Sequence, residues 1–485
     1  MTSSASPETR GPATSRRARL RQLVALVPFA LTACASFPSS TSAPKPKPPT
    51  AYAAERSLAA SSADWPANDW WKAYGDPQLD GLITEALVGA PSLKEAQARL
   101  RRAVAGTAGA RAAELPSLTA SGAFDEAKQS YYQGIPPQFV PKGYIVTGNV
   151  GLNFNWELDF WGQNRAAVAA ATSDAQAAAA ETAEARLMLS TSVAAAYADL
   201  ARLYSERDVE ARMIDSQNET RAQVTDRVNN GLAALAEQRE AEAEPLQSQA
   251  ELTSIDEQIT LVQDQIAALL GQGPDRGLAV MRPADTVPKA FGLPENLPAE
   301  LIGRRPDIVG ARWRAEAAAS RIKQDKAAFY PNVNLVGLIG ASALPLHDLT
   351  RNGSSVGSIG PALTLPLFEG GRLRANLAAS EAARDEAIAA YDAAVVEALH
   401  QVADVATSLR SLSVELSQSS EALSLSEDAY RMAGVRYRTG LSNYSALLQV
   451  EQGVLVRRRA VADLKARAFA LDVVLVRALG GGFST

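Results

Sequence analysis

Groups able to act as nucleophiles, proton carriers or soft metal ligands are scarce in this 485-residue chain: one cysteine, Cys34, and two histidines, His347 and His400. Zinc sites draw three or four ligands from His, Cys and carboxylates, and no spacing here supplies them, so no metal is expected. Ser-His and Cys-His pairs fail for the same shortage, which leaves no catalytic residue and no expected enzymatic activity. A lone cysteine also excludes an internal disulfide. The chemistry left to Cys34 is modification of its thiol.

Its surroundings say which modification. Arg10, Arg16, Arg17, Arg19 and Arg21 precede an apolar stretch over 23–33, within the ~7–15 residues of a signal-peptide core and too short to span a bilayer. The stretch ends in Leu31-Thr32-Ala33-Cys34, which resembles the lipobox of bacterial lipoproteins. That resemblance implies removal of 1–33, acylation of Cys34 and, with Ala35 next, sorting to the outer membrane. An ordinary signal peptide with an incidental buried cysteine is the alternative. The lipid on Cys34 is the only attached group expected; no cofactor is. Removal of 1–33 takes five arginines and one glutamate from 48 basic and 53 acidic side chains. The mature chain is then near −9, which argues against nucleic acid as a partner. Residues 34–64 read as lipidated N-terminus and linker, rich in Ser, Pro and Lys as far as Thr50.

The elements beyond this tether come in pairs. Gly162, Arg165, Arg227, Gly231 and Leu232 recur as Gly371, Arg374, Arg436, Gly440 and Leu441, all at a spacing of 209. Ala112-Ala113-x-x-Pro116 recurs as Ala327-Ala328-x-x-Pro331 at a spacing of 215, so a six-residue length difference lies between. One unit has been duplicated in tandem, over 65–275 and 307–485 with a linker at 276–306. Hydrophobic residues make up 47 % of the chain and aromatics only 6 %, with alanine carrying the apolar share, a composition suited to long, closely packed helices. Residues 163–230 lack Gly and Pro altogether, as do 372–433, which predicts helices over ~163–230 and ~372–438. Glycine turns at Gly231 and Gly440 then return antiparallel partners over ~232–270 and ~441–479, in which Pro245 and Gly453 are possible interruptions. Taken alone, such sequence also suits a soluble coiled coil.

The segments ahead of the long helices do not. From Asn149 to Phe160 the sequence alternates: Val150, Leu152, Phe154, Trp156, Leu158 and Phe160 share one face, and Asn149, Gly151, Asn153, Asn155, Glu157 and Asp159 the other. Period two predicts a strand over ~146–160, and twelve residues at ~3.3 Å each reach ~40 Å, enough to cross a membrane. Weaker alternation predicts strands over ~117–125, ~332–342 and ~356–368, with Pro361 and Pro366 weakening the last. A half-buried sheet in a soluble sandwich is the competing reading. Four strands cannot close a barrel and open edges are not tolerated in hydrocarbon, so several chains must share one: two would give eight strands, three twelve and a lumen.

Motifs in order now carry a family resemblance: "WWKAYGDPQLDGLITEAL" (70–87), "NWELDFWGQNRA" (155–166), "RRPDIVGARWRAEAAASRIKQDKAAFYPNVNLVG" (304–337), "LPLFEGGRLRA" (365–375), "RYRTGLSNYSALL" (436–448) and "ALGGGF" (478–483). Together they resemble the lipoprotein branch of the OprM/TolC outer-membrane efflux family. The resemblance implies an α+β membrane protein acting as a homotrimer, with a 12-stranded β-barrel and a 12-helix periplasmic α-barrel. It also implies docking on a periplasmic adaptor (membrane fusion) protein and an inner-membrane RND transporter, in the outer membrane of a Gram-negative bacterium. Drug or solute efflux is then the expected function; a type I secretion or metal-efflux channel, and a non-transport periplasmic scaffold, are the alternatives.

Site residues follow from these readings. Trp156, Phe160 and Trp161 suit an interfacial aromatic belt. By the resemblance, the turns around Arg227, Gly231, Leu232, Arg436, Tyr437, Gly440 and Leu441 form the aperture and the adaptor-facing tip. The family often places aspartates after the second turn; here those positions hold Ala446 and Gln449, with Glu451 the nearest acid and Glu237 opposite position 446 in the first repeat. The aperture is therefore expected to rely less on a carboxylate ring.

Overall fold

The computed structural model describes residues 44–48, 51–54, 56–132, 134, 136–284 and 291–484; Cys34 and its leader lie outside them. Eight α-helices and four strands organise the described chain: α1 (Pro77–Gly89), α2 (Pro91–Ala112), β1 (Ser117–Ala127), β2 (Ile145–Glu157), α3 (Gln163–Asn229), α4 (Leu235–Leu269), α5 (Leu297–Arg304), α6 (Pro306–Ala327), β3 (Asn332–Ala343), β4 (Ser355–Thr364), α7 (Arg372–Arg438) and α8 (Tyr444–Ala478).

The duplication reaches the element ends. Helix α2 maps onto α6 at 215, while α3 maps onto α7 and α4 onto α8 at 209. The loop between β1 and β2 spans 128–144 and that between β3 and β4 spans 344–354, and these hairpin loops account for the six-residue difference. Both α2 and α6 begin with proline, which lacks the N–H that a first turn leaves unpaired. At ~1.5 Å per residue, the 67-residue α3 and α7 each reach on the order of 100 Å. Pro245 does not interrupt α4; it lies inside the helix and is buried beside Ala241, so tertiary packing offsets the lost backbone hydrogen bond. Gly453 likewise lies within α8.

Two strands are shorter than their alternation suggests. β2 stops at Glu157 rather than at 160, because the Leu158 N–H makes one last bond to Val333 O at 2.8 Å and the Phe160 N–H then turns back to Leu158 O at 2.8 Å. β4 stops at Thr364 rather than 368, two residues before Pro366, which can donate no ladder bond.

Compact packing divides the chain differently from the repeats. One unit contains Ala108–Ala170 and Ala318–Asp385; the other contains Pro46–Thr107, Ala171–Ala317 and Glu386–Thr485. Each takes elements from both halves; in the first, a lone β-hairpin is marginally stable and needs its duplicate beside it.

In the first unit the strands form one antiparallel sheet in the order β1-β2-β3-β4. Register sorts its faces. Leu118, Ala120 and Phe124 share a face with Val150, Leu152, Phe154 and Trp156, and through Leu152↔Ile339 and Gly337↔Ile359 with Leu335, Ile339, Ile359 and Leu363. Ile339, Ile359 and Leu363 are 68 %, 78 % and 69 % exposed, so this apolar face is uncovered within the chain. The opposite face carries Ser117, Thr119, Ser121, Asn149, Asn153, Asn155, Asn332 and Asn334, interrupted by Val336, Leu338 and Val356.

In the second unit the duplicated helices build two related cores. Leu79, Leu82 and Ile83 of α1 pack with Val193, Tyr197 and Leu200 of α3 and Ile266 of α4. Leu297 and Leu301 of α5, with Ile308 of α6, pack with Val395, Val402 and Val405 of α7 and Leu475 of α8. Arg305, buried, ties this second core together: it pairs bidentately with Asp307 (2.6 and 3.0 Å) and donates to Gln401 Oε1 (2.8 Å) and Ala478 O (3.1 Å). The RRPDI segment is thus structural.

Asp76 does two jobs in the first core. It caps α1 by accepting from the Gln78 and Leu79 amides, and it accepts a 2.6 Å bond from the buried Tyr197 hydroxyl. Asp76→Ala removes the cap and leaves that hydroxyl without its acceptor, an expected loss of about 2–3 kcal/mol. Thermal unfolding should show a clear fall in Tm, whereas the exposed Asp69→Ala should leave Tm in place.

Candidate functional site

Two regions of the described structure gather the residues singled out by sequence. At the first, β2 passes into α3. Phe160 and Trp161 are exposed, and Trp156 lies at the edge of exposure with its Nε1 donating to Glu114 O at 3.0 Å. Trp161 donates to Pro331 O at 2.8 Å and stacks on Tyr330 with centroids 4.7 Å apart. Each indole thus has its N–H satisfied. Asp159 carries a role that alternation alone concealed. Although desolvation opposes it, hydrogen bonds from the amides of Arg165, Asn164 and Gln163 hold its carboxyl below the usual range and start α3. An acid shortly before a helix-opening Gly was the available signal.

At the second, the turns α3–α4 and α7–α8 have one backbone design. Gly231 and Gly440 adopt φ of 71° and 75°, a region where a side chain is strained. Leu232 N–H bonds Arg227 O and Gly231 N–H bonds Val228 O, at 2.8 and 2.9 Å; Leu441 bonds Arg436 O and Gly440 bonds Tyr437 O, at 2.8 and 3.0 Å. These are Schellman turns, which satisfy carbonyls that a helix end would leave open. Only the second hairpin caps its return helix with a side chain, Asn443 Oδ1 accepting from the Ala446 amide at 3.0 Å.

The side chains on these matched turns diverge. Arg227 reaches from the first hairpin to the second, where its Nη1 donates to Tyr437 O at 3.0 Å and its guanidinium lies 4.7 Å from the Tyr437 ring centre. Tyr437 and Tyr444 are buried with Val224, Ala241, Leu447 and Leu448 in a small core shared by both hairpins. Arg436, the duplicate of Arg227, is exposed instead. Leu232 and Leu441 are 67 % and 71 % exposed, so the turns end in apolar side chains that nothing in the chain covers. Gln449 is exposed, Glu237 is half-buried in the first turn of α4, and Ala446 holds no charge.

Glu451 departs from its expected place at the aperture. It is 3 % exposed and turned into the packing, where its Oε1 accepts from Ser216 at 3.1 Å and from Tyr430 at 3.0 Å. Burial pushes its carboxyl above the usual range. Ser216 and Tyr430 had no sequence signal, because they meet Glu451 only when the hairpins pack. Among the described residues, no group of three or more His, Cys, Asp or Glu is placed to hold a metal ion, and no helix is long and apolar enough to cross a membrane.

The Arg227 clasp generates a test. Arg227→Ala removes a hydrogen bond and a cation–π contact worth together about 1–2 kcal/mol. Amide hydrogen exchange in both turns should quicken about tenfold, while Arg436→Ala should leave it unchanged. Equal effects from the two variants would mean the clasp does not hold the turns together.

Comparison with known proteins places this arrangement. A family model described as "Outer membrane efflux protein" matches residues 82–272 and 297–481. The multidrug resistance outer membrane protein MdtP of Escherichia coli K12 is 31 % identical over 430 residues, 87 % of this chain and 88 % of MdtP. The fusaric acid resistance protein FusA of Burkholderia cepacia is 38 % identical over 326 residues, 66 % of this chain and 61 % of FusA, so the match spans less than two thirds of that relative. The outer membrane protein VceC of Vibrio cholerae superposes with a TM-score of 0.82 at 42 % identity, over 87 % of this chain and all of VceC. With both halves of the duplication matched and the sheet, hairpins and turns in place, the chain belongs to the outer membrane efflux protein family.

Proposed function

We propose that the chain is the outer-membrane conduit for small toxic solutes in a tripartite assembly, and that it works as a homotrimer. The observation that carries this is the four-stranded sheet with an uncovered apolar face and an outer edge on each of β1 and β4. An unpaired strand edge is untenable in hydrocarbon, so β4 of one copy must meet β1 of the next until the sheet closes. Three copies give twelve strands, a count that leaves a lumen, with the Asn- and Ser-bearing face toward water. The strands of 10–13 residues suit a tilted crossing.

The helical hairpins then extend into the periplasm, and the exposed Leu232 and Leu441 at their turns offer apolar contacts to a periplasmic adaptor and, through it, an inner-membrane RND transporter. No energy source is needed in the chain, because the pump supplies it. Relatives named for multidrug and fusaric acid resistance support a cargo of drugs and similar small solutes. Cys34 carries the acyl anchor, which in addition to the barrel makes membrane attachment stable.

Three outcomes test this reading. Arginine on the lipid face, Leu152→Arg, should cost about 2–4 kcal/mol of barrel stability and deplete the protein from outer membranes, while Asn153→Arg on the water face should not. Cys34→Ser should lose incorporation of labelled palmitate. Deleting the gene should raise susceptibility to several unrelated drugs, with complementation restoring resistance; an unchanged susceptibility profile would count against drug efflux.

A further inference from the structure

Beneath the turns, α3, α4 and α8 line a half-open cavity of about 190 Å³ bordered by Gln217, Glu244 and Glu451, and by Glu210, Glu251 and Arg459. Two of its polar atoms have no partner: Glu451 Oε2 and Gln217 Oε1, both buried, on residues only 3 % and 7 % exposed. Both are oxygen acceptors, so what is missing is positive charge or a donor. The cavity's own guanidinium is committed elsewhere, since Arg459 pairs with Glu210 and, at 3.5 Å, with Glu251. Glu451 has only the neutral donors Ser216 and Tyr430, both on its other oxygen, and Glu244 adds like charge. A buried carboxylate beside a second one, with no basic partner, is costly unless it takes up a proton or a cation joins it.

We propose that this cavity binds one hard divalent cation, Mg²⁺ or Ca²⁺, through Glu451 Oε2, Gln217 Oε1 and the Glu244 carboxylate. Oxygen-only ligands suit these ions, and two carboxylates with several retained waters is a common way of holding Mg²⁺. The volume leaves room for such waters. Direct ligation by three acidic side chains is not available among the described residues, so water completes the shell. The ion would bridge α3, α4 and α8 and so join the two hairpins at a second point besides the Arg227 clasp. The site lies inside one chain and does not depend on what the conduit carries.

The test uses full-length protein purified in detergent, stripped with chelator and titrated calorimetrically with MgCl₂ or CaCl₂ at constant ionic strength near neutral pH. One ion per chain is expected. Affinity should fall about tenfold or more in Glu451→Gln and in Glu244→Gln, and stay unchanged in Glu237→Gln, whose carboxylate lies outside the cavity. If Glu451→Gln fails to fold, Glu244→Gln decides, since Glu244 is half-buried and makes no bond to Ser216 or Tyr430. Absence of saturable binding in the wild type, or affinity unchanged in Glu244→Gln, would overturn the proposal. A Glu451 carboxyl still protonated at saturating MgCl₂, seen by infrared difference spectroscopy near neutral pH, would do the same.

Discussion

Backbone hydrogen bonding in a medium without water is the constraint on which the rest of this structure depends. The sheet satisfies its interior ladders through eleven β1–β2 pairs, ten β2–β3 pairs and ten β3–β4 pairs, and leaves two edges. A soluble protein can shield an edge with charge, proline or a covering loop. Here the face is apolar and uncovered as well, so shielding one edge from water would solve only part of the problem. Closure with further copies pairs the edges and leaves the apolar face to lipid, which is why the sheet geometry favours a shared barrel over a periplasmic scaffold. Pro361 sits in β4, opposite Leu335, in a strand that has a partner on one side only within the chain.

Duplication supplies the second theme. The repeat preserves backbone devices closely: proline openings of α2 and α6, glycine turns after α3 and α7, and identical lengths in the pairs α2/α6, α3/α7 and α4/α8. It does not preserve side-chain duties. Arg227 crosses between hairpins while Arg436 faces out, and Tyr437 enters a core where its counterpart is Val228. Two copies packed against each other occupy different surroundings, so a repeated residue can be freed for another task at one of its positions.

How far the sequence was legible depended on the range of each interaction. Strands and long helices depend on local periodicity and on the absence of Gly and Pro, and the element limits stand within a few residues of that reading. The exceptions are local too: Phe160 turns back on Leu158, and Pro366 stops β4. The Schellman turns were visible as Gly231 and Gly440. Glu451 was not legible in its true setting, because its partners lie 21 and 235 residues away. Neither was the clasp of Arg227 on Tyr437, 210 residues distant. Composition and spacing marked these residues without saying which would be buried. The compact units were likewise hidden, since each needs pieces of both repeats.

Closure of the sheet by identical copies is the step on which the proposed conduit rests. Native mass spectrometry of the full-length protein extracted from outer membranes measures it most directly. Three chains per particle is the expected result. Particles of one or two chains, with the strands intact, would contradict a shared twelve-stranded barrel.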